Sequence, residues 1–124
     1  VTYAEFRARP SSVNDAECAE IVMRWTAENA VWHDKGHTRT TLDWLGADGK
    51  FVCTSQRFSP TTDRNATAML VEEVARRGLE GEFTDYLYDE IPAPPGCTAC
   101  GMKILRAAPS LVAWACCKAC REAS

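Results

Sequence analysis

The sequence predicts an α+β domain whose elements run helix, strand, strand, helix, strand, strand, helix. Three observations predict it. Apolar residues recur at three- and four-residue spacing in two separated stretches. An Asp-Gly pair divides two runs of β-forming residues, and a Cys-rich final third joins a strand-like run to a helix-like one. Hairpin connections imply a four-stranded, mainly antiparallel sheet sandwiched by helices.

A chain of 124 residues reads as a single domain, 1–124, long enough to bury a real core. An N-terminal arm over 1–12 carries the short turn Thr2–Arg7 and ends near Pro10. Asn14 with Glu17 three residues on stands in capping-box register, and Cys18, Ile21, Val22 and Trp25 make one apolar face of the helix that follows. Thr26 to Thr38 reads as irregular, because Gly36 breaks any helix that would align His33 with His37. Those two histidines therefore make a weak metal pair.

The hairpin comes next. Thr41–Leu45 and Phe51–Phe58 flank Asp48-Gly49, a turn signal between two strands. Phe58-Ser59-Pro60-Thr61-Thr62-Asp63 then offers N-cap oxygens to a second helix with Ala68, Leu70, Val71, Val74 and Ala75 on its apolar side. Gly78 stops that helix after Arg76 and Arg77. A third strand is expected over Phe83–Ile91, with Phe83, Asp85, Leu87, Asp89 and Ile91 on one face. The rigid segment Pro92–Gly96 leads into a Cys-rich hairpin and C-terminal helix over 92–120, its fourth strand at Met102–Ala107 and its helix opening at Pro109.

Cys97-x-x-Cys100 and Cys117-x-x-Cys120 enclose sixteen residues, a spacing read as a four-thiolate zinc site. Cys116 stands four from Cys120 and is an alternative to Cys117 as ligand. A strand of six or seven residues carries the chain roughly 20 Å away and a helix of about eleven brings it back about 16 Å, so the two pairs can meet. Structural zinc on Cys97, Cys100, Cys117 and Cys120 is one reading, small-loop disulfides a second, and packing thiols the third. Cys18 and Cys53 suit the packing reading, and seven cysteines is an odd number for a disulfide framework.

Charge and motifs narrow the function. Fourteen basic against seventeen acidic residues argue against general nucleic-acid binding. No apolar run reaches membrane-spanning length, which leaves no membrane partner. The chain lacks a phosphate loop, a nucleophile elbow and a His-Glu-x-x-His motif, so it reads as a non-enzyme. Binding fits better. Glu82, Asp85, Tyr86, Tyr88, Asp89 and Glu90 concentrate carboxylates and tyrosines on the third strand. Spaced along a strand, they can imitate a phosphate backbone, or they can simply keep an edge strand solvated. Trp32 and Trp44 are further contact candidates, although buried core suits most of the four tryptophans.

Three blocks carry a family resemblance: Ala19–Trp25, the stretch from Trp44 through Asp48-Gly49-Lys50 to Phe58–Asp63 with its following helix, and Ala113–Ala119. Together they resemble the phage ABA-sandwich domain family over most of the chain from Glu17 onward. The resemblance implies a small bacteriophage or prophage protein with helices flanking a sheet and no established common activity. It implies a Cys at Cys117, whereas Cys97, Cys100 and Cys120 depart from the family pattern. The expected function is a non-enzymatic phage accessory protein that inhibits a bacterial defence protein such as a CRISPR effector, in the cytoplasm of the infected host. Alternatives are sequestration of a nucleotide immune signal, with Arg57, Arg64, Arg76 or Arg77 on phosphates in a pocket between subunits of a homodimer, and a zinc-stabilised interaction module in phage metabolism or assembly.

Overall fold

The computed structural model describes residues 1–90 and 108–123. Five α-helices and three strands form over them: α1 (Tyr3–Ala8), α2 (Ser11–Ile21), β1 (Thr26–Asp34), β2 (His37–Leu45), β3 (Phe51–Thr54), α3 (Arg64–Arg76), α4 (Glu80–Glu90) and α5 (Pro109–Glu122). A 3₁₀ turn, Ser55–Arg57, follows β3. The class is α+β, as expected, but the sheet has three strands among the described residues, ordered β1-β2-β3 and antiparallel throughout. The expected fourth strand, Met102–Ala107, lies outside the described residues.

The helices gather around α5. Leu111 through Cys117, with Ala119 and Cys120, are buried on this helix, and α1, α2, α3 and α4 all pack against it. A helix apolar on nearly every side belongs in the middle of a bundle. Its small residues Ala113, Ala115, Cys116 and Ala119 are at most 1% exposed, which lets the neighbours approach closely. Among the described residues the sheet is therefore not sandwiched between helices. β1 is exposed along almost its entire length and β2 is buried only from Thr41 inward, so the hairpin reaches out from the helical body.

Two expectations are corrected by local chemistry. Thr26–Thr38 is β1, a turn and the start of β2, with Thr26 paired to Leu45 and Asp34 to His37. Gly36 at φ +82° and Lys35 at φ +49° form the two-residue turn that a tight hairpin requires, so the glycine makes a strand connection and ends no helix. Glu80–Glu90 is a helix, where a strand was expected over Phe83–Ile91. Phe83 and Leu87, four apart, are its buried residues, and Glu80 and Glu82 complement the dipole at its start. Packing on α5 prevails over the β preference of Phe83, Thr84, Tyr86 and Tyr88.

The remaining ends and joints are held by identifiable contacts. Thr2 and Glu5 make a capping box on α1. Asn14 lies one turn inside α2 and does not cap it. Its buried Nδ2 donates to the Phe6 carbonyl at 2.7 Å and ties α1 to α2. Trp25, expected on the α2 face, follows a chain reversal at Arg24 (φ +58°) and packs edge-on to Phe58 at 4.9 Å. The Phe58–Asp63 segment is anchored by Asp15, whose Oδ1 accepts from the Thr61 amide at 3.0 Å and its hydroxyl at 2.8 Å. Burial raises the Asp15 carboxyl, and the two Thr61 hydrogen bonds oppose that rise. Asp63 then caps α3 by accepting from the Asn65 amide at 3.0 Å.

Candidate functional site

The C-terminal cysteines occupy the centre of the molecule. Cys117 on α5 meets Cys18 on α2 with 3.2 Å between their sulfurs, and both are buried. This contact pushes the Cys117 thiol well up, and burial adds to it; burial also pushes Cys116 well up and Cys120 up. Thiols held protonated are poor nucleophiles. Arg77 lies beside Cys120. The residue also gives Nη1 to the Ile21 carbonyl at 3.4 Å and Nη2 to the Val22 carbonyl, so it closes α2.

Of the four zinc candidates, Cys117 and Cys120 are described and Cys97 and Cys100 lie outside the described residues. No group of three or more His, Cys, Asp or Glu side chains able to hold a metal occurs among the described residues. His33 and His37 fall on opposite faces of the hairpin, because Asp34 pairs with His37 and His33 with Thr38. Burial also orders thiol reactivity. Under a limiting alkylating agent the folded protein should be modified at half-buried Cys53 before Cys18, Cys116 or Cys117, as read by peptide mapping. Equal labelling of Cys116 and Cys53 would contradict the burial of α5.

The acidic segment forms a second cluster. Glu82, Asp85 and Asp89 stand at i, i+3 and i+7 along α4 and are exposed, with exposed Glu90 beside them. Among the described residues none of the four forms an ion pair. Tyr86 shares this stripe but is held down: its hydroxyl donates to Glu122, and Lys118 Nζ sits 4.5 Å above its ring. The Glu122 bond raises the Tyr86 hydroxyl, with further upward contributions from burial and the nearby carboxylates. Tyr88 is half-buried and lies off the stripe. The helix thus brings together the four carboxylates named from sequence and separates the two tyrosines from each other.

The expected phosphate-binding arginines divide. Arg76 and Arg77 are both committed to Glu73, whose carboxyl is held down, first by the Arg76 hydrogen bond. Arg57 is exposed on the 3₁₀ turn and forms no ion pair or hydrogen bond among the described residues. It borders the third cluster, on the outer sheet face. There Trp32 Nε1 donates to Thr41 Oγ1 at 2.6 Å, and Thr41 Oγ1 donates to buried Asp43 Oδ1 at 2.9 Å. Phe51 stands edge-on to Trp32 at 6.1 Å. The sequence signals Trp32 as a contact residue. Its fixing by Thr41 and Asp43 depends on the register of β1 on β2, which the weak alternation of Thr26–Thr38 does not reveal.

No protein-family model matches the chain, and neither a curated protein nor a solved structure matches it. Among the described residues no helix is long and apolar enough to cross a membrane.

Proposed function

We propose that this protein is a non-enzymatic phage accessory protein that binds and inhibits a component of bacterial defence, in the manner of an anti-CRISPR, within the cytoplasm of the infected host. The observation that supports binding is the stripe of Glu82, Asp85, Asp89 and Glu90, exposed and without ion pairs among the described residues. Unpaired carboxylates one helical turn apart complement a basic groove and accelerate encounter with it. The phage setting rests on the resemblance of Ala19–Trp25, Phe58–Asp63 and Ala113–Ala119 to the ABA-sandwich family. The partner is a defence protein with a basic nucleic-acid surface, such as a CRISPR effector. Zinc on Cys97, Cys100, Cys117 and Cys120 belongs to the same proposal as structural reinforcement, supported by the spacing of the two pairs. So does a homodimer, supported by the outer edge of β1, which pairs with no further strand among the described residues and whose backbone groups suit pairing with a second strand.

The test is infection of bacterial strains that each carry one defence system and produce this chain. Plaque formation should be restored on at least one nucleic-acid-targeting system relative to a strain producing no inhibitor. Undiminished defence throughout a panel of CRISPR, restriction and related nuclease systems would overturn the proposal.

A further inference from the structure

The outer face of the sheet carries a site independent of the α4 stripe. It is a cavity of about 420 Å³ bordered by Trp32, Phe51, Arg39 and Arg57, with Thr54 and Gln56 supplying polar atoms. That volume lies in the range of small-ligand sites. Trp32 is 43% exposed and Phe51 52%, so two aromatic rings face solvent side by side. Trp32 is nevertheless fixed. Its indole N–H is held by Thr41, which is held in turn by Asp43, so the ring is oriented before any ligand arrives. Arg39 lies directly opposite Trp32 in the strand register.

Charge selects the ligand. The charged residues on this cavity are Arg39 and Arg57, and neither has an ion pair or hydrogen bond among the described residues. A planar apolar group would stack on Trp32, and an anion would accept from the two guanidiniums. A ligand with both properties is a nucleotide. We infer that the Trp32–Phe51 face binds a free mononucleotide, its base on Trp32 and its phosphate between Arg39 and Arg57. A single strand would need further stacking rings and a continuous basic track. Along the same face, however, β1 places Glu28 and Asp34, whose charges oppose such a track.

The indole N–H resonances of the four tryptophans report on the site directly, since Trp25, Trp44 and Trp114 are buried and Trp32 is not. Titration of the full chain with adenosine or guanosine 5′-monophosphate up to about 1 mM should move the Trp32 signal saturably and leave the other three in place. Trp32→Phe assigns that signal by removing it. Arg39→Ala and Arg57→Ala keep the Trp32–Thr41 bond and should each weaken nucleotide binding about tenfold, while adenosine, which lacks phosphate, binds all three proteins alike. An unmoved Trp32 signal would overturn the inference, as would equal nucleotide affinity in both arginine variants. Binding of a short single strand about tenfold tighter than mononucleotide, at equal nucleotide concentration, would replace the mononucleotide with a strand. None of these results depends on α4, so the site stands or falls apart from the anti-defence reading.

Discussion

Trp44→Ala is expected to destabilise the protein by about 3–5 kcal/mol, a large share of the roughly 5–15 kcal/mol available to a domain of this size. The residue is 2% exposed and sits where the sheet meets the helices: it pairs with Ala27 and Cys53, and borders the same cavity as Asp15 and Ala16 of α2 and Phe58. Among the described residues few side chains are shared between the hairpin and the helical body, because β1 is exposed and β2 is buried only at its inner end. Removing the indole leaves a cavity at that joint, beside the one that Trp44 already borders. Urea titration followed by far-ultraviolet circular dichroism measures the loss. A Trp44→Ala protein within about 1 kcal/mol of the parent would place the joint elsewhere.

The second large effect separates helix from strand at 80–90. Leu87 is 0% exposed on α4, and Leu87→Ala should cost about 2–5 kcal/mol. In the strand expected from sequence, Asp85, Leu87 and Asp89 share one face. On the helix Asp85 and Asp89 are solvent-facing and Leu87 is core. Asp85→Ala and Asp89→Ala should therefore each change stability by less than about 0.5 kcal/mol. Equal costs for all three substitutions would restore the strand.

This segment shows why the fold was only partly legible. Phe83, Thr84, Tyr86, Leu87 and Tyr88 favour strands locally, and short apolar runs do not distinguish a period of 2 from one of 3.6. The deciding fact is a long-range one, the packing of Phe83 and Leu87 near an α5 that is apolar on nearly all sides. Gly36 failed differently: a glycine ends helices and also makes hairpin turns, and the flanking residues Thr26–His33 alternate too weakly to show which. Where the chemistry is local the sequence was sufficient. Asp48-Gly49 turns β2 into β3, Asp63 caps α3, and Gly78 ends it at φ +74°. The candidate carboxylates were legible as a concentration of charge, but their arrangement changed with the element that carries them. The sheet-face cluster was not legible, because Trp32, Arg39 and Arg57 become neighbours only through strand register and a turn after β3.

The α4 carboxylates are the proposed partner contact. The most direct measurement is plaque formation on the responsive defended strain with the parent chain and with a variant carrying Glu82→Lys, Asp85→Lys and Asp89→Lys. All three positions are exposed, so the variant should fold, which circular dichroism and an unchanged urea midpoint would verify. Reversal of three charges on the proposed interface should reduce restored infection by about 100-fold or more, since each like-charge contact opposes docking. Full restoration of infection by the folded variant would contradict the account and remove α4 from the interface.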